Sequence, residues 1–514
     1  MSTPMGRRRF LKLTGGIAGL IALGQLPAER ALAQPRFLDN PFTLGVASGD
    51  PLADGVVLWT RLAPDPLNGG GMPEDDFGVR YEVASDNGFR NIVRRGAVSA
   101  VPELAHSVHA EVNGLLPGRE YWYRFKAGTE ISPVGRTKTA PALGSPVENF
   151  RFAFASCQNY QDGYFVAQRA LAQEDVDFIA FVGDYIYESV PRTTTPRTHE
   201  GAGEPVTLAQ YRNRYAQYKG DVDLQSAHAR CPWLVTFDDH ELDNNWADDI
   251  PQDPQSQSPE AFQARRIAAF QAYYEHMPLR RSARPSGPDM QLYRRLTFGD
   301  IVQVNVLDTR QYRSDQPANK EAAYTTATMT GDQQEQWLYN GLSASGARWN
   351  VLAQQVMVAQ NDRLAGPGEQ FDFDNWDGYR VPRQRLLDYF GEGRTQNPVV
   401  LTGDRHATWV CDLKRDFDDS SSATVGSEIT GTSLSSGGNG NNVSFHQRYD
   451  PIQAESPHWK YIDGLRGYMV CDLNQVRMLT SLRTVPVVTD PNASTVYTSA
   501  QFVVEDGRPG IEVA

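Results

Sequence analysis

Short apolar runs that end in polar residues recur along the chain. The clearest run is 178–182, Phe-Ile-Ala-Phe-Val, which Gly183 closes and Asp184 follows. A continuous apolar run closed by glycine predicts a strand buried on both faces of a sheet. Three other runs share this design: 233–237 before Asp238-Asp239-His240-Glu241, 398–402 before Gly403-Asp404-Arg405-His406, and 152–155 before Ser156-Cys157.

The polar residues after these runs predict one shared site. Ligands of open α/β sheets gather outside the carboxyl ends of the strands. A single Asp after a strand more often caps a helix or forms a turn, but four such ends in one chain favour a common site. Tyr187 and Glu188 follow Asp184 within one turn, and a carboxylate beside a phenol suits a hard cation.

Residues 41–140 have the alternating pattern of an all-β unit. Segments 79–83 and 121–125 place apolar residues at every second position, which predicts half-buried strands. The stretch 115–121, Leu-Leu-Pro-Gly-Arg-Glu-Tyr, resembles the tyrosine corner of immunoglobulin-like and fibronectin-like sandwiches. We expect a β-sandwich in which His106 and His109 have packing or surface roles, because no third ligand accompanies them.

The remainder of the chain has a mixed pattern. A Pro/Gly/Ser linker at 139–147 precedes a region in which apolar runs alternate with helical patterns, which predicts an α/β domain on a buried sheet. Segment 258–276 predicts the clearest helix, with Ser258 as its N-cap and Pro259 at its first position. We expect the polar stretches 190–203 and 416–442 to be loops.

The chain begins with an export signal. Residues 7–12, Arg-Arg-Arg-Phe-Leu-Lys, match the twin-arginine pattern, and Ala-Leu-Ala at 31–33 matches a cleavage site, so the mature chain should begin at Gln34. The apolar stretch between them is too short and glycine-rich for a membrane anchor. We divide the chain into a signal peptide at 1–33, a β-sandwich domain at 34–145 and a catalytic domain at 146–514. The expected export partner is the twin-arginine machinery, and the expected location is the periplasm or the medium.

The net charge of −13 disfavours a nucleic-acid scaffold role or binding to an anionic membrane, although it is compatible with a local positive site. No stretch of the mature chain approaches the roughly 20 apolar residues of a membrane span, and we expect a monomer. Four cysteines in an exported protein predict two disulfides by default. Cys411 and Cys471 could pair or be buried, whereas the position of Cys157 favours a thiolate ligand.

The motifs SCQ, GDYIYE, DDHE and GDRH, in this order, resemble the PhoD-type alkaline phosphatases, a twin-arginine-exported branch of the metallophosphoesterase superfamily. The resemblance also covers FTLGVASGDP and VVLWTRL near the start, LDTRQYR at 307–313 and WDGY at 376–379. It implies an α/β metallophosphoesterase-like β-sandwich core flanked by helices, after an N-terminal immunoglobulin/fibronectin-like β-sandwich domain.

The resemblance also implies a site with one Fe³⁺ and one or two Ca²⁺ ions. Asp184 would bridge two metals, and the DDHE segment leaves open how Asp238 and Asp239 divide their roles. Arg405 would bind phosphate or form a structural ion pair, and Arg310 and Arg313 are weaker candidates of the same kind. The implied metal ligands are Cys157, Asp184, Tyr187, Asp238, Asp239, Asn245, Asp404 and His406, and the implied catalytic residues are His240, Asp239 and Arg405.

The chemistry of these side chains agrees with such a site. Thiolate, phenolate and imidazole suit a transition metal, whereas carboxylate and amide oxygens suit calcium. Two metals clamp the oxygens of a phosphate and lower the pKa of a bound water, and His240 could stabilise or protonate the leaving oxygen. We expect an exported metal-dependent phosphoesterase that hydrolyses phosphate monoesters, diesters or both by attack of a metal-activated hydroxide.

Two alternatives stay open. Phospholipase-D-like phosphodiesterases and enzymes that cut teichoic acid share the resemblance, so the substrate is a small molecule, a phospholipid or a teichoic-acid-like polymer. A different class is a non-enzymatic extracytoplasmic binding protein whose site has decayed, although every expected ligand type is present. Metal content separates the classes, because an intact cluster should hold iron through dialysis.

Overall fold

A computed structural model describes residue 37 and residues 39–514 except 326. The expected export signal at 1–33 lies outside the described residues. Within them the chain forms twenty-two strands. They are β1 Val46–Leu52, β2 Gly55–Arg61, β3 Phe77–Ala84, β4 Ile92–Ala100, β5 Ser107–Asn113, β6 Glu120–Ala127, β7 Glu130–Ile131, β8 Gly135–Lys138, β9 Asn149–Ala155, β10 Phe178–Val182, β11 Trp233–Thr236, β12 Arg294–Phe298, β13 Val302–Val306, β14 Trp349–Ala353, β15 Pro398–Thr402, β16 Thr408–Lys414, β17 Thr424–Thr430, β18 Trp459–Asp463, β19 Arg466–Asn474, β20 Arg477–Val485, β21 Tyr497–Glu505 and β22 Arg508–Val513.

Seven α-helices accompany these strands in the same residues. None of the described helices has both the length and the apolar composition needed to cross a bilayer. The helices are α1 Val166–Leu171, α2 Leu208–Lys219, α3 Val222–Arg230, α4 Pro259–His276, α5 Gly331–Ser343, α6 Arg380–Gly391 and α7 Asn442–Glu455.

Two large sheets face each other. The first has ten strands in the order β22-β21-β20-β19-β9-β10-β11-β1-β2-β5, with β9, β10 and β11 parallel at its centre. The second has seven strands in the order β12-β13-β14-β15-β17-β16-β18, with β13, β14, β15 and β17 parallel. Apolar side chains from both sheets, including Phe178, Val304 and Met469, form one core between them.

Helices cover the outer faces of this sandwich. Helices α1 to α4 pack on the first sheet around Trp233 and Phe270. Helices α5 to α7 pack on the second sheet around Leu352 and Trp409. The result is a two-sheet β-sandwich flanked by helices, which agrees with the expected architecture at this level.

The N-terminal strands form a smaller sandwich. A sheet of β4, β3, β6 and β7, with β8 beside β6, packs on β1, β2 and β5 through a shared apolar core. The tyrosine corner is confirmed, because Leu116 N donates to Tyr121 Oη at 2.9 Å. Strand β1 also pairs in parallel with β11 through Gly49 and Trp233. The strands β1, β2 and β5 therefore extend the ten-stranded sheet.

The helix expected at 258–276 is confirmed as α4. The Ser258 side chain accepts a hydrogen bond from the first turn, and Pro259 occupies the first helical position. The apolar Ile267 in this helix does not face the core, because it is 37 % exposed. The buried position next to it belongs to Arg266, whose guanidinium donates to Asp248 O at 2.7 Å. A long cation with a backbone acceptor therefore makes this buried contact, rather than an apolar side chain.

Segment 416–442 is not the loop that its composition indicates. Residues 424–430 form β17, which lies between β15 and β16 in the second sheet. Glu428 shows why the pattern fails, because its buried carboxylate accepts N–H bonds from Val358 at 2.9 Å and Ala359 at 2.7 Å. A polar residue whose hydrogen bonds are all made inside the core can occupy a buried strand position. It then interrupts the apolar pattern from which a strand is predicted. The stretch 190–203, in contrast, contains neither helix nor strand, as expected.

The histidines of the N-terminal sandwich have packing roles, as expected. His109 Nδ1 lies 3.0 Å from Leu279 O, and its ring stacks on Tyr274 at 4.3 Å. His106 Nε2 lies 3.0 Å from Asp75 O. Neither residue belongs to a group of candidate metal ligands in the described chain.

All four cysteines are buried free thiols. The default expectation of two disulfides is therefore wrong. Cys411 lies in β16 and Cys471 in β19, which belong to different sheets. Cys157 remains available as a ligand.

Candidate metal centre

The expected strand ends meet at one edge of the sandwich. Cys157 N donates to Gly183 O at 3.2 Å, which ties the loop after β9 to the loop after β10. Gly403 follows β15 in the facing sheet, and a Cβ placed on it would lie 3.0 Å from Ser156 Cβ. Both sheets therefore bring the carboxyl ends of parallel strands to this edge, where α/β folds bind ligands.

The backbone is left-handed at five of the expected site residues. A non-glycine residue with positive φ costs about 1–3 kcal/mol, and such residues cluster at ligand sites. These strained residues lie in loops that follow strands of both sheets. The left-handed backbone directs each of these side chains differently from a residue in an ordinary turn. The φ values are 61° at Cys157, 57° at Asp184, 52° at Asn245, 63° at Asp404 and 54° at His406.

The first group of donors combines four kinds of side chain. Cys157, Asp184 and His406 each offer a donor atom, and these atoms lie within 4.8 Å of one another. Tyr187 Oη donates to Asp184 Oδ2 at 2.7 Å and lies 2.8 Å from His406 Nε2. A thiol, a carboxyl, an imidazole and a phenol thus lie close together, and they are four of the side chains predicted as ligands.

Two further donor groups adjoin the first. Asp184, Asp239 and His240 form one, and Asp238, Asp239 and Asp404 form the other, each within 4.8 Å. Asp184 belongs to the first and second groups and Asp239 to the second and third, so the three groups form a continuous row. Asp184 Oδ1 and Asp238 Oδ2 are buried without a hydrogen-bond partner. Buried anionic oxygens without partners are costly unless a cation occupies the space between them.

The protonation of this acidic cluster reflects the same shortage of positive charge. Burial raises the pKa of Asp404 to about 8, and the charges of Asp239 and Asp374 add to the effect. Burial and then Asp184 raise the pKa of Glu241 to about 8. Burial followed by Asp184 also raises the pKa values of the Cys157 thiol and the Tyr187 phenol. A bound cation would displace these protons, because it supplies the missing charge.

Arg310 is the internal counter-ion of the acidic cluster. Its side chain has no exposed surface, and Nε donates to Asp238 Oδ1 at 2.5 Å while Nη1 donates to Asp374 Oδ1 at 2.9 Å. Arg313 donates to the same Asp374 oxygen at 2.6 Å. Of the two roles left open for Arg310 and Arg313, these contacts favour the structural ion pair over phosphate binding. Both guanidiniums are buried and already bound to carboxylates.

His240 is held by Glu188, a residue to which the sequence motifs assign no role in the site. Its Nδ1 lies 2.7 Å from Glu188 Oε2, and the other Glu188 oxygen accepts from Asn244 N at 3.0 Å. Burial lowers the pKa of His240, but the carboxylates of Glu188, Asp239 and Asp184 outweigh this effect and raise it well above its usual value. The ring also packs on Tyr187 at 4.1 Å. Glu188 ends the GDYIYE motif, so its position there was the available signal.

Glu241 and Ser436 were also missed as supports of the site. Glu241 Oε2 accepts from Asp184 N at 3.1 Å and from Asp238 N at 2.8 Å, so it joins two ligand loops. Ser436 Oγ donates to Tyr187 Oη at 2.8 Å. Glu241 ends the DDHE motif, whereas Ser436 lies in the segment that was interpreted as a loop and gave no signal.

A cavity of about 750 Å³ opens beside the donor groups. Asn245, Asp404 and His406 line it, together with Arg405. Asn245 is exposed, and its N donates to Asp239 Oδ2 at 2.8 Å. The Arg405 guanidinium donates to Asp372 at 3.3 Å and lies over the Trp409 ring at 4.9 Å. Substrate can thus reach the centre from this side.

Comparisons with known proteins agree with this geometry. The PhoD-like phosphatase family matches residues 152–482, and the N-terminal domain of PhoD-like phosphatases matches residues 27–141. Alkaline phosphatase D of Bacillus subtilis is 49 % identical over 522 residues, which cover 98 % of this chain and 88 % of that protein. The chain belongs to the PhoD-like phosphatase family.

The same relationship holds in three dimensions. The solved structure of PhoD has a TM-score of 0.89 and 49 % sequence identity to this chain, and the match covers 93 % of each chain. Family membership confirms the expectation of a phosphoesterase, a hydrolase of phosphate esters. The alternative of a non-enzymatic binding protein is therefore set aside.

Proposed function

We propose that this chain is an exported, metal-dependent phosphatase that hydrolyses phosphate monoesters and diesters at the row of three donor groups. The observation that carries the proposal is the shared use of Asp184 and Asp239 between adjacent groups, with unpartnered buried oxygens on Asp184 and Asp238. This arrangement suits neighbouring cations that together bind one phosphate. The name of the Bacillus subtilis relative, alkaline phosphatase D, supports the same class of reaction.

The donor types support one Fe³⁺ and one or two Ca²⁺ ions. Cys157, Tyr187 and His406 would hold the iron with Asp184, because thiolate, phenolate and imidazole suit a transition metal. Oxygen ligands suit calcium. The residues that would hold it are Asp184, Asp238, Asp239, Asn245 and Asp404.

The chain supplies the other parts of the reaction. Bound cations would neutralise the phosphate oxygens and acidify a water molecule. His240 is held by Glu188 through Nδ1, and the Glu188 carboxylate raises its pKa and so favours the protonated form. It would therefore stabilise the leaving oxygen or give it a proton. Arg405 lines the approach and would contact a phosphate group of the substrate.

Removal of calcium tests the proposal. The protein should hydrolyse p-nitrophenyl phosphate or bis(p-nitrophenyl) phosphate, lose turnover in EGTA and recover it when calcium is added, because carboxylate sites exchange calcium. Iron should remain bound throughout, measured by elemental analysis. Full turnover after exhaustive EGTA treatment would refute the calcium requirement, and preferential cleavage of phosphatidylcholine in the same panel would favour a phospholipase-D-like activity.

We also propose export through the twin-arginine route to the periplasm or the medium, supported by residues 7–12 and 31–33. Folding before export would let the chain take up its metals in the cytoplasm. The mature enzyme would act as a monomer, with domain boundaries at 34–145 and 146–514. Fractionation of cells that express the full chain tests the route, and replacement of Arg7, Arg8 and Arg9 by lysine should retain the enzyme in the cytoplasm.

A further inference from the structure

The cavity beside the metal centre is lined by more guanidinium groups than its carboxylates can balance. Of the lining acids, Asp404 belongs to a donor group and Asp374 is bound by Arg310 and Arg313. Asp372 is the remaining lining carboxylate. The lining arginines are Arg363, Arg405, Arg448 and Arg466. A local positive surface of this kind is unusual in a chain whose net charge is −13.

Three of these arginines have little to neutralise them. Arg363 and Arg405 share the single carboxylate of Asp372, at 3.0 and 3.3 Å. Arg448 has no carboxylate within 4.0 Å among the described residues. Arg466 is different, because it is engaged by backbone carbonyls such as Gly438 O at 2.8 Å.

Arg405, which lines this cavity, has a donor atom without a partner. Its side chain is only 5 % exposed, and its Nε is buried without a hydrogen-bond partner. The Nε atom of Arg363 is also buried and unpartnered. Buried donors without acceptors indicate a position for an anion.

Helix α7 adds a further positive end to the same wall. Asn441 caps the helix through Ser444 N at 3.1 Å, and both residues line the cavity. Arg448 lies one turn after Ser444 and lines it as well. The first N–H groups of a helix are unpaired within it, and the helix dipole favours an anion at this end.

We propose that the wall formed by Arg363, Arg405, Arg448 and the first turn of α7 binds a second phosphate, carried by the leaving group of the substrate. This inference rests on the proposed phosphoesterase function. The cavity is continuous from Asp404 and His406 to Arg448, and its volume of about 750 Å³ holds far more than one phosphate. Several planar guanidiniums suit the oxygens of a phosphate group, which accept paired hydrogen bonds.

Matched substrates test the proposal. The monophosphates and bisphosphates of linear α,ω-diols with two to six carbons differ only in the distal group. At fixed ionic strength the wild-type enzyme should have a higher kcat/KM for at least one bisphosphate. Arg448→Gln should lower the ratio of bisphosphate to monophosphate kcat/KM by about fivefold or more, because a charged hydrogen-bonding group is lost. Arg119→Gln, an exposed arginine of the N-terminal sandwich, should not change the ratio.

A binding measurement separates this proposal from the proposed function. Calorimetry should show that Arg448→Gln and Arg363→Gln weaken binding of alkane bisphosphonates more than of alkyl phosphonates, with melting temperatures near that of the wild type. Equal effects on both ligands, or no wild-type preference for two phosphates, would overturn the subsite. A carboxyalkyl phosphate that performs as well as the bisphosphate would overturn the assignment to phosphate. If the wild-type enzyme hydrolyses none of these esters, the proposed phosphoesterase function is refuted. The calorimetric comparison then decides by itself whether the second phosphate site exists.

Discussion

Cys157 is the residue that most directly distinguishes a metal centre from a packed acidic cluster. Its Sγ lies with Asp184 and His406, and burial holds its thiol in the neutral form unless a cation is present. We expect Cys157→Ser to lose iron and turnover together, because a neutral hydroxyl is a weak ligand for iron. Iron per protein and hydrolysis of p-nitrophenyl phosphate measure both. Cys471→Ser, a buried thiol in the core of the sandwich, is the matched control, and a Cys157→Ser protein with full iron would contradict the assignment.

Tyr187 permits a test that keeps the packing almost unchanged. Its hydroxyl contacts Asp184, His406 and Ser436, while its ring packs on His240. We expect Tyr187→Phe to fold, to lose or shift a visible charge-transfer band, and to lose most of its turnover. Absorption spectra of concentrated protein and iron analysis measure the effect. Tyr215→Phe, whose hydroxyl is buried without a partner, should keep the colour; unchanged colour and turnover in Tyr187→Phe would make Tyr187 a packing residue only.

At the scale of elements, the turn after β10 decides whether the ligand loops can approach each other. Gly183 has φ +110°, and a Cβ there would lie 2.4 Å from Asp238 Cβ. Gly183→Ala should therefore destabilise the fold by at least about 2 kcal/mol and reduce metal binding. Thermal melting and metal analysis measure both. Gly203→Ala lies in open space and should have neither effect, and a Gly183→Ala protein with wild-type melting and metal content would contradict this role.

The elements also show what the sequence could predict. Strands such as β10 are buried on both faces, so they appear as unbroken apolar runs. A chemically distinct residue, such as Cys157 or Asp184, stands close after each run. Strand β17 could not be predicted in this way, because its inward-facing Glu428 is satisfied by two backbone N–H groups. Ser436 follows β17 and was missed for the same reason.

Residues that support ligands are harder to predict than the ligands. Glu188 and Glu241 stand in the motifs, but their functions depend on which loop each carboxylate faces. Glu241 joins two loops through backbone N–H groups, and Glu188 holds a histidine from another loop. The burial of Arg310 likewise depends on packing that one-dimensional spacing does not contain.

At the scale of the molecule, His109 fixes the N-terminal sandwich against α4 and the residues that follow it. Burial lowers its pKa to about 4, and its ring contacts Tyr274 and Leu279 O. An unfolded histidine has a pKa of about 6.5, so the unfolded state binds more protons as the pH falls. The stability that depends on neutral His109 is complete above about pH 6.5 and is lost as the pH falls towards 4.

His109→Phe should reduce this sensitivity to acid. The variant keeps an aromatic ring against Tyr274 but cannot gain a proton, so the loss of unfolding free energy between pH 7.5 and 5 should be smaller by about 2 kcal/mol. Urea unfolding at both pH values measures it. Equal acid sensitivity in His109→Phe and the wild type would contradict the assignment.

The order of strands in the ten-stranded sheet has a consequence for synthesis. Strand β9, which carries Cys157 at its end, pairs on one side with β10 and on the other with β19, near the end of the chain. At about 5–20 residues per second, the ribosome makes β19 on the order of tens of seconds after Cys157. During that interval the edge of β9 that later pairs with β19 has no partner, and the Cys157 thiol lies in an incomplete site. The nascent chain must therefore keep the free strand edge from pairing with another strand and the thiol from reacting too early. A complete metal centre forms only when translation is nearly finished.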